Sequence, residues 1–330
     1  MKVLAIESSC DETAVAILED GHLLSSVVSS QIEVHRKFGG VVPEVAARRH
    51  LEVIDDLVLE ALRTCGTELA EVDVFAATMG PGLVGSLLVG LSFAKGLALS
   101  LNRPFVGVNH LYGHVYANYL VYRDLEPPFL VLLVSGGHTE ILLMKDFNDV
   151  ELIGKTRDDA AGEAFDKIAR LLELGYPGGP SIEESAKRGE VKYRFPRPLT
   201  ERNNYDFSFS GLKTSVLYFL KKNPESRVED VAASAQEAIV DSLISKTFAA
   251  AENLDVRKIA FAGGVAANLL LRDRAYEKAV QKRLKIFFPP VNMCTDNAAM
   301  IAMVAYEKAK RGLFSPLSTN AVPYLSLDVF

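Results

Sequence analysis

The sequence predicts an α/β protein with two similar lobes, and a repeated order of elements carries that prediction. A strand, a polar turn and a second strand occur near the N-terminus as KVLAI, ESSCDET and AVAIL, and again later as FLVLLV, SGGHTE and ILLM. Helix, strand, glycine turn, helix, strand and helix follow each copy. We therefore expect an internal duplication with a ligand cleft between the lobes. One larger α/β domain with similar strands is the alternative.

The later elements can be assigned in order. In the first copy they are a helix over residues 43–64, the strand DVFAAT, the helix GSLLVGLSFAKGLAL, the strand PFVGV and a helix from His110. In the second copy KIAFA, AANLLLRDRAYEKAV and LKIFF take the corresponding places, and the final helix begins near Asp296. The second copy is longer, mainly through residues 155–223, where we expect a helical insertion.

The boundary between the lobes is expected at EPP, residues 126–128, because proline ends the preceding helix. The N-terminal lobe is then residues 1–125, joined by the C-terminal segment 297–330. The C-terminal lobe is residues 126–296.

The composition is that of an ordinary globular protein. The 330 residues are 49% hydrophobic and 24% charged with a net charge of −6, so only local basic segments could indicate a nucleic-acid partner. Three cysteines without a CxxC pair favour a reducing compartment. No signal peptide and no membrane-length apolar run is apparent, so we expect a cytoplasmic protein without a membrane partner.

The motif HLYGH places His110 and His114 four residues apart on one helix face, where they can chelate a metal ion. A zincin helix reads HExxH, and Leu111 stands where its glutamate base would be. A metallopeptidase would thus lack its catalyst. The duplication puts Asp296 at the matching helix start, which predicts a His, His, Asp site suited to iron(II) or zinc. Two partly exposed helix histidines are the alternative.

Several glycine turns suggest a nucleotide-like ligand. GPGLVG, residues 80–85, fits GxGxxG, but no acidic residue lies between Val74 and Arg123 to bind a ribose, which argues against NAD. SGGHT, GYPGGP and AGGVAAN offer backbone N–H groups to a phosphate, and Asp166 could bind a ribose hydroxyl. The Walker A motif is absent, which excludes a P-loop NTPase.

Two further features carry charge. Asp11 and Glu12 occupy the first turn, and we expect one of them to face the cleft as a proton acceptor, with their side chains on opposite faces. Residues 187–202 contain six cations interleaved with aromatic residues: Lys187, Arg188, Lys192, Arg194, Arg197 and Arg202. This segment either binds an RNA backbone with stacking or is a solvated loop.

These motifs together resemble the TsaD family of tRNA N6-adenosine threonylcarbamoyltransferases. The resemblance rests on ESSCDETAVA, FGGVVPEVAARRH, MGPGLVGSLLVG, NHLYGH, LVSGGHT, GEAFDKIARLL, GYPGGP, FSFSGLKT, FAGGVAAN and CTDNAAMIA, which span nearly the whole chain. FGGVVPEVAARRH is closer to the bacterial members. The resemblance implies the actin/Hsp70-like (ASKHA) fold, with two RNase H-like lobes around a nucleotide cleft.

The resemblance also implies site residues. The metal-ligand positions are His110, His114 and Asp296, and they imply one divalent metal per chain, iron(II) first, with zinc or magnesium as alternatives. The substrate-binding positions are Leu133, Val134, Ser135, Gly136, Gly137, Asp166, Gly179, Glu183 and Asn268. Archaeal relatives have a metal-binding tyrosine where Leu133 stands, so the fourth ligand here would be water or a substrate phosphate. Glu183 replaces a more usual aspartate.

The implied reaction is transfer of threonylcarbamoyl from threonylcarbamoyl-adenylate to N6 of adenosine 37 in tRNAs that read ANN codons. Asp11 or Glu12 is the candidate acceptor of the N6 proton. The implied partners are tRNA, the smaller paralogue TsaB and the ATPase TsaE. The competing hypotheses are an ATPase or kinase-like enzyme of the same fold, a metallopeptidase, and a non-catalytic nucleotide-binding scaffold.

Overall fold

The computed structural model describes residues 1–199, 201 and 203–327, which form two compact units. Unit 1 comprises Met1–Leu125 and the chain from Thr295 onward, and unit 2 comprises Glu126–Cys294. Asp296 therefore belongs to unit 1, together with the two histidines, although the repeat suggested that it ends the second lobe.

Unit 1 is built on a five-stranded mixed sheet. Its strands are β1 (Lys2–Glu7), β2 (Glu12–Glu19), β3 (His22–Ser30), β4 (Val74–Gly80) and β5 (Phe105–Asn109). They lie in the order β3-β2-β1-β4-β5, with β1 antiparallel to β2 and parallel to β4. The central strand β1 is almost continuously apolar and buried because helices cover the sheet.

Four helices of unit 1 precede its boundary with unit 2. They are α1 (Ile32–Arg36), α2 (Pro43–Cys65), α3 (Val84–Ser100) and α4 (His110–Tyr116). Helix α2 begins with a proline at its first position and ends at Gly66, whose φ of 64° gives a left-handed cap. Its buried side chains pack against β2, β3 and α3. They are therefore held close to the turn between β1 and β2.

Unit 2 repeats the same sheet. Its strands are β6 (Phe129–Val134), β7 (Thr139–Asp146), β8 (Asp149–Lys155), β9 (Lys258–Ala262) and β10 (Lys285–Phe287). Their order is β10-β9-β6-β7-β8. Taken from β8 to β10, this order matches that of unit 1 strand for strand, with β6 in the place of β1. The repeated topology confirms the predicted two-lobed α/β fold.

The remaining helices complete both units. Those of unit 2 are α5 (Ala161–Leu171), α6 (Gly178–Ala186), α7 (Ser210–Lys222), α8 (Val228–Asn253) and α9 (Leu269–Lys282). Helix α10 (Ala298–Lys310) returns to unit 1, where it packs against β1, β2 and α4. Within the described ranges, no helix is long and apolar enough to cross a membrane.

The sequence pattern missed the third strand of each sheet, β3 and β8. Both strands lie at a sheet edge, and most positions of each are exposed or half-buried. Their serines and charged residues dilute the apolar signal by which the central strands were recognised.

Candidate metal centre and substrate loops

The two histidines lie on the short helix α4, whose seven residues are all buried. The side chain of Asn109, at the end of β5, caps this helix by accepting a hydrogen bond from the Leu111 amide at 3.0 Å. The helix places His110 and His114 with ring centroids 4.6 Å apart. Their direction is thus fixed by a capped strand-to-helix turn in the core of unit 1.

Asp296 lies against both imidazoles. Its Oδ1 is 3.4 Å from His110 Nε2 and 3.2 Å from His114 Nε2, and one ligand atom from each residue fits within 4.8 Å of the others. Atoms that share a tetrahedral zinc ion are separated by roughly 3.4 Å. Within the described residues, the ring nitrogens of buried His114 have no polar contact besides the one with Asp296, and that contact lacks good hydrogen-bond geometry. The three side chains therefore fit a divalent cation, which would satisfy an otherwise unused lone pair.

Glu7 forms a second layer behind this triad, and the sequence reasoning missed it. Glu7 Oε2 lies 3.1 Å from His110 Nδ1 and accepts a hydrogen bond from Thr78 Oγ1 at 2.6 Å, while Oε1 accepts one from the Ser9 amide at 2.6 Å. A carboxylate at Nδ1 orients a metal-binding histidine and leaves Nε2 as the ligand atom. The missed signal was a lone acidic residue at the end of an otherwise apolar central strand.

The charges of this cluster are strongly coupled. Burial alone would lower the pKa of His110, but the carboxylates of Asp296 and Glu7 raise it well above its usual value. Burial would raise the pKa of Asp296, and the two imidazoles lower it instead. Without a cation, His110 is thus an imidazolium between two carboxylates. Metal binding at Nε2 would displace a proton.

The turn after β1 is clamped by close contacts to α3. Ser8 Oγ donates to the Ser86 carbonyl at 2.9 Å, and a Cβ added at Gly90 would lie 2.4 Å from Ser8 Oγ. A Cβ added at Gly82 would lie 2.5 Å from the Ser9 carbonyl oxygen. Gly82 of GPGLVG and Gly90 on α3 thus allow close approach to the first turn.

The buried side chain of His50 forms hydrogen bonds that fix the turn containing Asp11 and Glu12. His50 Nε2 lies 3.1 Å from the Cys10 carbonyl oxygen, and Nδ1 lies 2.7 Å from Thr13 Oγ1. A carbonyl only accepts, so Nε2 carries the hydrogen and Nδ1 accepts from the threonine. Burial lowers the pKa of His50, which favours this neutral form.

Asp11 and Glu12 differ in exposure. Asp11 is buried, and Glu12 is half-buried at the first position of β2. Burial, followed by the Asp296 and Asp11 carboxylates, raises the pKa of Glu12 to about 9. Asp11 precedes the first residue of β2, so strand alternation does not decide the relative direction of the two side chains.

In unit 2, the predicted AGGVAAN loop and the start of α5 pack on the end of β6. A Cβ added at Gly263 would lie 2.3 Å from the Val134 carbonyl oxygen, and one at Gly162 would lie 2.5 Å from that of Ser135. The Gly162 amide also donates to the Ser135 carbonyl at 3.2 Å. The SGGHT turn therefore lies beside the N-terminus of α5 and beside the turn after β9.

The other predicted substrate residues connect neighbouring helices. Asp166 Oδ1 accepts from the Gly178 amide at 2.7 Å, which ties α5 to the start of α6. Glu183 Oε1 accepts from the Leu269 amide at 2.7 Å, at the start of α9. Asn268 caps α9 by accepting from the Leu271 amide at 3.0 Å. These contacts connect the middle of α5 to the start of α6, and α6 in turn to the start of α9.

The rim of this group is open. A Cβ added at Gly136, Gly137, Gly179 or Gly264 would meet nothing within 4 Å. Leu133 and Val134, by contrast, are fully buried strand residues. Solvent therefore reaches the predicted substrate-binding residues from Ser135 onward. Leu133 and Val134, the two residues before Ser135, are buried beneath the loop.

The basic segment 187–202 is more neutral than its sequence suggests. Three of its cations form ion pairs: Lys187 with Glu184 at 2.8 Å, Lys192 with Asp230 at 2.8 Å, and Arg197 with Asp241 at 2.6 Å. Arg188 and Arg194 are exposed, and Arg202 lies outside the described residues. Acidic residues of α8 thus supply much of the charge that balances this loop.

Comparison with known proteins agrees with these features. The family model TsaD, described as tRNA N6-adenosine threonylcarbamoyltransferase, matches residues 22–303. Proteins of that name from Kosmotoga olearia and Thermotoga neapolitana are 71% and 60% identical; the matches cover 99% of this chain in each case, and 99% and 100% of the relatives.

A solved structure shows the same fold at low sequence identity. HypF from T. kodakarensis aligns with a TM-score of 0.66 and 15% identity, over 97% of this chain and 50% of that longer one. This similarity concerns the ASKHA-type architecture alone.

Proposed function

Because the chain belongs to the TsaD family of tRNA N6-adenosine threonylcarbamoyltransferases, we propose that it transfers threonylcarbamoyl from threonylcarbamoyl-adenylate to N6 of adenosine 37 in tRNAs that read ANN codons. The adenosine N6 attacks the carbamoyl carbon, a C–N bond forms, and the bond from that carbon to the phosphate oxygen breaks. AMP leaves with the electron pair, and N6 loses a proton.

The observation that carries the proposal is the triad of His110, His114 and Asp296 with Glu7 behind it. Two imidazoles and one carboxylate with positions left for other ligands are typical of iron(II) sites, and zinc or magnesium are the alternatives. When bound, the cation would supply Lewis-acid polarisation of phosphate or carbonyl oxygens. Glu7 would keep His110 oriented through its Nδ1 hydrogen.

The loops of unit 2 would bind the adenylate. Backbone N–H groups of the SGGHT turn and of the α6 start suit a phosphate, because their glycines leave the backbone open to a ligand. Asp166, Glu183 and Asn268 hold the helix starts that form this surface. Their proposed role is therefore to shape the loop as well as to contact the nucleoside.

Glu12 is the preferred acceptor of the N6 proton. It is the more exposed of the two acidic residues. Burial and the Asp296 and Asp11 carboxylates raise its pKa to about 9, which keeps it protonated near neutral pH, so a cation that offset the charge of Asp296 would favour the carboxylate form that can accept a proton. Asp11 would act on Glu12 through its nearby negative charge, which raises the pKa of Glu12. The proton would reside on Glu12 until product leaves.

Partner proteins are the last part of the proposal. Leu51 and Leu59 on α2 and Val84 and Leu88 on α3 are exposed, on two helices that pack side by side. Such an apolar surface suits a protein partner. We assign it to the paralogue TsaB, with the ATPase TsaE as a further partner.

A reconstitution tests the function. Labelled threonine, bicarbonate, ATP, unmodified tRNA and the partner proteins, including the enzyme that makes the adenylate, are incubated with and without this chain, and label in tRNA is measured. Label should appear only when the chain is present. Equal incorporation without the chain would show that the transferase proposal is wrong, and ATP turnover without tRNA labelling would favour the kinase-like alternative.

A further inference from the structure

Helix α7 presents a continuous exposed face without acidic residues. Its thirteen residues, SGLKTSVLYFLKK, include three lysines and no aspartate or glutamate, in a chain whose net charge is −6. Leu212 and Val216 are buried on the inner side. The exposed residues that follow Ser210 recur with helical spacing, and we call them the α7 face: Gly211, Thr214, Tyr218, Lys221 and Lys222.

An aromatic ring lies at the centre of the α7 face. Tyr218 is 60% exposed, and Lys221 and Lys222 follow it by three and four residues, so they lie beside it on the helix surface. Tyr276 on α9 is also exposed, at 49%, but Asp273 and Glu277 accompany it on that helix. The α7 face combines an exposed ring with positive charge alone.

The lysines of α7 are available to a ligand. In the described part of the chain, no ion pair is formed by Lys213, Lys221 or Lys222, whereas Lys192 and Arg197 of the neighbouring segment are paired with acids of α8. Lysines in the last turn of a helix also interact favourably with the helix dipole, so the presence of Lys221 and Lys222 has an explanation that requires no ligand. It does not explain the exposed ring beside them.

The helix is held firmly at both ends. At its start, Asp158 accepts hydrogen bonds from the Ser210 amide at 3.1 Å and from Ser208 Oγ at 2.5 Å. Near its end, the Phe219 ring packs against Tyr193 with centroids 4.4 Å apart. The α7 face is therefore presented by a fixed helix, so little ordering entropy would be lost on binding.

We propose that the α7 face binds the RNA substrate, with Lys221 and Lys222 on backbone phosphates and Tyr218 stacked on an unpaired base. The inference rests on the proposed function, which makes a structured RNA the substrate. Positive side chains beside an exposed ring are the usual means of holding single-stranded nucleic acid, and bases in RNA loops are accessible to such stacking.

Binding of unmodified tRNA to the full-length chain, without adenylate, tests the proposal at several salt concentrations. The variants are Tyr218→Ala, Tyr218→Phe, and the double variant Lys221→Glu/Lys222→Glu. The matched charge control is Lys278→Glu/Lys285→Glu, which changes the net charge equally elsewhere on unit 2. Circular dichroism establishes that each variant is folded.

We expect Tyr218→Ala to weaken binding about fivefold or more through lost stacking, and Tyr218→Phe to bind like the wild type. The lysine double variant should weaken binding about tenfold at low salt, with a shallower salt dependence, and the control should change it much less.

Three results would overturn the proposal: unchanged affinity in all α7 variants, an equal loss in the charge control, or normal tRNA affinity with lost binding of a partner protein. Because binding is measured without the donor, this test is separate from that of the transferase function. If the wild type transfers threonylcarbamoyl and the α7 variants bind tRNA normally, only the proposal for the α7 face is overturned.

Discussion

Glu7 Oε2 lies 3.1 Å from Nδ1 of His110, although the two residues are 103 positions apart in the chain. Glu7 is completely buried, and hydrogen bonds from Thr78 and Ser9 hold its carboxylate in place. Burial alone would raise the pKa of Glu7, but the charge of His110 lowers it, so the group is a carboxylate. The orientation of the His110 ring is thus supported by a residue outside the predicted ligand set.

The first prediction concerns this support. Glu7→Gln should lower the affinity for iron(II) or zinc about 10–100-fold, because the amide orients the imidazole less well and no longer balances its charge. Calorimetric titration of metal-free protein measures the change. Glu44→Gln, which removes an exposed carboxylate paired with Arg48, is the control and should leave metal affinity unchanged. Equal affinities for Glu7→Gln and wild type would refute the role.

The second prediction concerns the turn that carries Asp11 and Glu12. His50→Ala would remove the partner of both the Cys10 carbonyl and the Thr13 hydroxyl and leave a cavity under the turn. We expect the free energy of unfolding to fall by about 2–4 kcal/mol, as measured by denaturant titration. Thr13→Val, which removes the hydroxyl alone, should cost less. A stability loss below that of Thr13→Val would contradict this account.

The third prediction separates the two acidic residues of that turn. Glu12→Gln should lower kcat by about 10²–10⁴-fold with a smaller change in KM, because a general base acts mainly in the transition state. Asp11→Asn should have the smaller effect on kcat. Ser30→Ala, which removes the hydrogen bond to Glu12 Oε1 and the one that Ser30 Oγ accepts from the Ile32 amide, is the control. A larger loss in Asp11→Asn than in Glu12→Gln would reverse the assignment.

The fourth prediction concerns pH and stability. Lys308 is buried in α10, its Nζ donates to the Gly107 carbonyl at 3.3 Å, and burial lowers its pKa from 10.5 to about 8. The folded state therefore releases this proton more readily than the unfolded state. The cost of burying the charged form is complete below about pH 8, and it is relieved as the pH rises towards 10.5.

Lys308→Met should thus raise the free energy of unfolding at pH 7 by roughly 1–3 kcal/mol, after allowance for the lost hydrogen bond. The advantage over wild type should shrink between pH 8 and 10.5. Denaturant titrations of both proteins across this range measure it. A stability difference that does not change with pH would contradict the pKa shift.

The sequence predicts most of the fold because its signals are local or repeated. Apolar periodicity identifies central strands such as β1 and β6, and the second copy supports each assignment in the first. The same duplication leads to Asp296 as the partner of His110 and His114, and the three side chains do lie together. Edge strands β3 and β8 lack that apolar signal, so they are visible only once their pairing is known.

The rest of the site depends on contacts that no local pattern encodes. In the sequence, Glu7 cannot be distinguished from other acidic residues at strand ends. Only the fold shows that it contacts His110. From its sequence, the basic segment 187–202 is either an RNA-binding loop or a solvated loop, and the fold supplies Asp230 and Asp241, about forty positions away, as ion-pair partners. Conversely, α7 carries fewer cations than that loop, and only the fold shows that they remain exposed beside Tyr218.

The most direct test of the metal-assisted transferase is to measure tRNA labelling and bound metal together in wild type and in His110→Ala/His114→Ala. Threonylcarbamoyl-adenylate and unmodified tRNA are supplied with the partner proteins, and circular dichroism verifies folding. We predict that the wild type binds a divalent metal and labels N6 of adenosine 37, and that the folded double variant does neither. Full labelling or full metal occupancy in the double variant would contradict the account.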